Sequence, residues 1–101
     1  MLHIVDAEYL GGFRMRIVFS DGKEGVVDLE EWLEKCPWPS FLPLRDPENF
    51  KKFHLDYTIV WENGLDLAPE FFYYLAFRND PDFEPLFRKW GYLDNDTSYV
   101  A

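Results

Sequence analysis

A chain of 101 residues forms one domain, and 48% hydrophobic with 20% aromatic residues gives it the apolar area for an ordered core. Lys and Arg number 10 against 19 Asp and Glu, a net charge of −9. Basic residues cluster no further than Lys51-Lys52 and Arg88-Lys89, which argues against direct nucleic-acid binding by this chain alone, whereas the acidity steers basic partners. The lone Cys36 cannot close an internal disulfide, Asp6, Glu8, Arg14 and Arg16 interrupt any signal-peptide core, and no run is long enough to span a membrane. The chain therefore reads as cytoplasmic, without membrane contact.

In chain order, residues 2–10 begin with β-formers and predict a first strand, and Gly11-Gly12 predicts a turn. Residues 13–19 alternate apolar with basic, which predicts a half-buried strand with Arg14 and Arg16 facing water. The Asp21-Gly22 turn returns the chain as a third strand over residues 24–28, completing an antiparallel meander. Asp28 then caps a helix over residues 29–35, with Glu31 placed for a capping box and Leu29, Trp32 and Leu33 on its apolar face. Pro37 ends that helix. Residues 36–44 predict an extended, proline-rich connection, and Asp46-Pro47 starts a short helix with Phe50 and Phe53 on one face.

Residues 58–74 carry the strongest fold signal. The β-formers at 58–61, the Asn63-Gly64 turn and the alternation of Leu65, Asp66 and Leu67 predict a hairpin. Pro69 predicts the first position of a closing helix that runs to about residue 78, with Phe71, Phe72, Leu75 and Ala76 on one face. Residues 79–82 break the chain. Residues 83–93 predict a short aromatic helical segment closed by Gly91, and residues 94–101 read as frayed. The fold class is α+β, with the main domain at 1–78 and an aromatic extension at 79–101.

No catalytic, cofactor or metal-binding constellation emerges. Cys36 has no linked histidine, a zinc site needs more soft ligands than one Cys and two scattered His, and residues 94–98 lack the Gly and Glu of a calcium loop. The acidic residues leave an enzyme with a carboxylate pair as a minor alternative. Rings and leucines at Trp38, Phe41, Leu42, Phe83, Leu86, Phe87, Trp90 and Tyr92 form the candidate interaction surface, because such side chains are enriched in interface cores. The segments 39–44 and 81–86 both read Pro-x-Phe-x-Pro-Leu, a span too short to count as a repeat.

Four motifs carry a resemblance. They are Arg-x-Arg-Ile-x-Phe-Ser-Asp-Gly at 14–22, Gly-Val-Val-Asp-Leu at 25–29, Pro-Leu-Arg-Asp-Pro at 43–47 and Thr-Ile-x-Trp-x-Asn-Gly-x-Asp-Leu-Ala-Pro-Glu at 58–70. Across residues 2–78 the chain resembles the bacterial domain-of-unknown-function family DUF2442. The resemblance implies a small α+β module without established enzymatic activity, found alone or fused to a helix-turn-helix domain. It also implies a regulatory or partner-binding role, since some members are encoded in arrangements similar to toxin–antitoxin pairs. This chain departs in having no helix-turn-helix segment after residue 78 and in its aromatic extension. The functional expectation is a non-catalytic interaction module, in its sharpest form an antitoxin-like subunit that neutralises a basic, toxin-like protein. The alternative is a homodimer assembled through residues 79–101.

Overall fold

A computed structural model describes residues 1–93; residues 94–101, including the stretch weighed as a calcium loop, lie outside the described residues. Strands β1 (Ile4–Gly11), β2 (Arg14–Phe19) and β3 (Glu24–Asp28) form an antiparallel sheet in the order β1-β2-β3. Alternation decides its faces: Met15, Ile17 and Phe19 are fully buried, while Arg14 and Arg16 occupy the opposite face. Arg16 sits there at 3.2 Å from Asp6, 3.0 Å from Glu8 and 3.6 Å from Glu24, so one guanidinium is shared by carboxylates of both neighbouring strands. In the β2–β3 turn Gly22 takes a φ of +88°, and Asp21 Oδ1 accepts the Lys23 N–H at 2.9 Å. Asp21 Oδ2 accepts the Tyr73 hydroxyl at 2.7 Å, which ties this turn to a distant helix.

Helix α1 (Glu30–Lys35) follows directly. The cap expected at Asp28 falls one residue later, on Leu29, which makes no side-chain cap bond; Asp28 Oδ1 accepts the Glu30 N–H at 2.9 Å from just outside the helix, and the expected capping box does not form. Leu29 takes the cap position because its N–H is held by the Phe13 carbonyl at 2.9 Å, and Glu31 instead reaches Lys35 at 3.8 Å. The connection expected to be extended is a 3-10 turn over Pro39–Arg45. Pro39 and Pro43 fix φ near the helical value, and the Phe41 N–H closes on the Trp38 carbonyl at 3.1 Å. Helix α2 (Pro47–Phe50) is capped by Asp46, which accepts the Glu48 N–H at 3.0 Å. It ends at Phe50, so Phe53 does not share its face.

Phe53 instead opens β4 (Phe53–Asp56), which pairs antiparallel with β5 (Thr58–Trp61). The hairpin turn lies at Tyr57, a non-glycine residue with a φ of +72° that nothing in the sequence announces. The expected return strand after Asn63-Gly64 reduces to one bridge, Val60 to Asp66. The turn itself forms as expected, with Gly64 at a φ of +85° and Asn63 Oδ1 accepting the Leu65 N–H at 3.2 Å. Trp61 is buried and donates its Nε1–H to the Phe50 carbonyl at 2.8 Å, which anchors it in the core.

Helix α3 (Pro69–Phe77) starts at Pro69 and lays Phe72, Tyr73 and Ala76 against the sheet. A 3-10 turn (Pro81–Phe83) leads into helix α4 (Glu84–Trp90), which Gly91 closes at a φ of +88°. Rings of this turn and of α4 pack on α3: Phe83 stacks on Phe77 at 5.0 Å, and Phe87 meets Tyr74 edge-on at 5.2 Å. Both Pro-x-Phe-x-Pro-Leu segments thus open helical turns at proline, but Phe41 packs on Trp32 and Phe83 on Phe77.

Candidate binding cleft between the first and third helices

Helices α1 and α3 hold a ring-floored cleft between them. Its floor follows from two helical stripes. On α1, Trp32 stands beside the buried Leu33 but is only half-buried. On α3, Phe72 and Tyr73 turn to the core, leaving Phe71, Tyr74, Leu75 and Arg78 along the flank that faces α1. The Trp32 ring lies 5.6 Å from Phe71 and meets Phe41 edge-on at 5.3 Å. Tyr92 stacks on Tyr74 at 5.1 Å and lies 5.9 Å from Phe71. A continuous path of rings therefore runs from Tyr92 through Phe71, Trp32 and Phe41 to Trp38, which is 57% exposed.

The rim is acidic. A cleft of about 380 Å³ is lined by Asp28, Glu30, Glu31, Glu34 and Arg78. It adjoins a second of about 160 Å³ that shares Asp28, Glu31 and Arg78 and adds the Trp32, Phe71, Tyr74 and Leu75 floor with Lys35. Four carboxylates against two cations leave the lining net negative. All four carboxylates are exposed, whereas a carboxyl acting as general acid is typically sunk in an apolar pocket. Burial, with Glu70 nearby, pushes the Tyr92 phenol at the cleft's end above its ordinary value. Exposed carboxylates beside aromatic faces suit one chemistry: a cationic side chain whose alkyl stem lies on the rings while its charged end meets the acids.

The sequence-derived contact residues divide between two places. Trp38, Phe41 and Tyr92 flank this cleft, and Leu42 is 46% exposed on the same 3-10 turn as Phe41. Phe83, Phe87 and Trp90 pack instead around Tyr73, and Leu86 is partly buried against the core. Phe87 is 1% exposed and belongs to the core, which removes it as a contact residue. Sequence reasoning missed the floor itself. The face expected of Phe71, Phe72, Leu75 and Ala76 is split: Phe72 is buried with Tyr73, while Phe71 and Leu75 line the cleft with Tyr74 and Arg78, whose helical spacing from Phe71 was the available signal. Among the described residues, no three His, Cys, Asp or Glu side chains gather into a metal-sized group, and no described helix is long and apolar enough to cross a membrane.

Comparison with known proteins places the fold. The model of a family of proteins of unknown function, DUF2442, matches residues 4–78. The chain belongs to the DUF2442 family. The matched span contains every residue lining the cleft and stops short of Tyr92. The chain is also similar to the crystal structure of "Putative DNA Binding Protein NE0471" from Nitrosomonas europaea ATCC 19718, with a TM-score of 0.66 and 24% identity. That likeness covers 78% of this chain and 51% of the other, so this DUF2442 chain spans about half the length of the solved protein, and the likeness shows the fold alone. No curated protein matches the chain.

Proposed function

We propose that this DUF2442 chain is a non-catalytic, cytoplasmic protein-interaction module that receives a basic segment of another protein in the α1–α3 cleft. The observation that carries the reading is the pairing of an aromatic floor (Trp32, Phe71, Tyr74) with a carboxylate rim (Asp28, Glu30, Glu31, Glu34). An antitoxin-like subunit that neutralises a basic, toxin-like protein is the form of this role suggested by the family resemblance. The net charge of −9 supports it and opposes direct nucleic-acid binding, whatever the longer relative from Nitrosomonas europaea does. The homodimer reading has less support, because the rings that motivated it pack on α3 of their own chain.

The test is binding of a labelled arginine-rich peptide, followed by anisotropy, to the wild-type chain and to the charge-reversed pair Glu31→Lys with Glu34→Lys. Both residues are exposed, so the fold is kept. The reversal should weaken binding by about tenfold or more, since like-charge juxtaposition at an interface costs several kcal/mol. Equal affinity for both proteins would sink the cleft reading.

A further inference from the structure

The two edges of the three-stranded sheet are treated differently. The β1 edge is closed. It carries register shifts between Ile4 and Asp6 and between Tyr9 and Gly11, and its Ile4 N–H is taken by the Tyr57 carbonyl at 3.0 Å. Tyr57 reaches that position through its left-handed backbone, with its ring stacked on His3 at 5.4 Å. The β3 edge has none of this. Its register against β2 runs without a shift from Glu24 to Asp28. Phe19 N–H bonds to the Lys23 carbonyl at 2.8 Å and Leu29 N–H to that of Phe13 at 2.9 Å, so residues 25 and 27 also face β2. The N–H and C=O groups of Glu24, Val26 and Asp28 therefore point away from the sheet. Among the described residues none of them has a backbone partner.

We infer that the β3 edge accepts an extended basic segment of the partner as a fourth, antiparallel strand. The side chains on the outer face of β3 read acid, Val, acid, and Val26 is 52% exposed. A second copy of the chain fits poorly: antiparallel self-pairing centred on Val26 sets Glu24 against Asp28, and like charges directly opposite are destabilising. A segment reading Lys-x-apolar-x-Lys sets a cation against each acid and an apolar side chain on Val26, with main-chain bonds supplying the rest. Asp28 both ends this edge and lines the α1–α3 cleft, so the added strand leads directly to the cleft rim. The inference rests on the basic-partner reading for the charge of the segment; the pairing rests on the edge itself.

The experiment uses the full chain and the peptide acetyl-Thr-Lys-Thr-Val-Thr-Lys-Thr-amide, followed by amide NMR shifts and hydrogen exchange. At saturation the amides of Glu24, Val26 and Asp28 should shift and exchange about tenfold more slowly or better, as newly bonded strand amides do. Val26→Pro should weaken binding about tenfold or more while leaving the fold intact, because proline at an outward edge position removes no bond to β2. A peptide N-methylated at alternate amides, so that its bonding edge is blocked, makes the same test on the unaltered protein and should also fail to bind. Shifts at residues 24–28 that persist in a Glu31→Lys variant would support strand addition even if the cleft reading fails. Shifts confined to Trp32 and Tyr74, no shifts at saturating peptide, or equal binding of the N-methylated peptide would each overturn the inference. In those cases the acids of β3 serve only to guard an edge against aggregation.

Discussion

Single residues fasten α3 to the sheet at two points. At Gly25 a Cβ would stand 2.9 Å from the Cβ of Ala76, so glycine is what lets the helix sit this close to β3. Gly25→Ala should lower stability by about 1–3 kcal/mol, the usual range for overpacking, measured as a lower urea midpoint with an unchanged slope. The second point is the bond from Tyr73 to Asp21 at 2.7 Å. Burial first, and the Asp21 carboxylate second, push the Tyr73 phenol well above its ordinary value. A group raised in this way favours folding with its proton on. Its contribution is complete below the unfolded tyrosine value of about 10 and is lost as pH rises beyond it. Tyr73→Phe should therefore be less stable at neutral pH by about 1.5–3 kcal/mol, as for a bond to a charged acceptor. Unfolding series between neutral and strongly alkaline pH should show a shallower decline for the variant than for the wild type; parallel declines would refute the assignment.

At the scale of elements, the meander, α2, the start of α3 and the stop at Gly91 were legible because each is written locally. Alternation at 14–19, Asp46-Pro47, Pro69 and Gly91 need no distant partner to be read. What escaped needs one. The β4 strand exists because β5 requires a neighbour, and its turn uses a tyrosine where glycine or asparagine would have been the local signal. The cleft escaped for the same reason, since only the packing of α1 beside α3 tells the Phe71–Tyr74 stripe from the core stripe. The extension after residue 78 was legible as aromatic but not as core, although the 3-10 turn and α4 place Phe83, Phe87 and Trp90 around Tyr73. Phe87→Ala alone should lower stability by about 3–5 kcal/mol. That is a large share of the roughly 5–15 kcal/mol that holds a domain of this size. A chain ending at Arg78 should accordingly lose its cooperative thermal transition, measured by circular dichroism. If it instead melts cooperatively and passes from dimer to monomer in light scattering, α4 is an assembly device and the homodimer reading returns.

For the whole molecule, charge sets the kinetics of any encounter. With 19 acids against 10 bases, and four of those acids on one cleft, the field around the chain would draw a basic partner of the proposed kind from a distance. Once the partner is seated, its cations sit within a few ångströms of carboxylates, where salt screens them less than it screens the approach. Association and dissociation should therefore respond differently to salt. Between about 20 and about 300 mM salt the association rate of a basic peptide should fall by about tenfold or more, while dissociation changes far less. Stopped-flow mixing, following tryptophan emission, gives both rates. Trp32 on the cleft floor and Trp38 at the end of the ring path are the indoles placed to report. Glu31→Lys with Glu34→Lys should flatten the salt dependence of association as well as weaken binding, because it removes charge from the approach and from the seat together. A salt-independent association rate in the wild type would mean that the acidity serves solubility alone, and the rings of the cleft would then have to select a partner by shape.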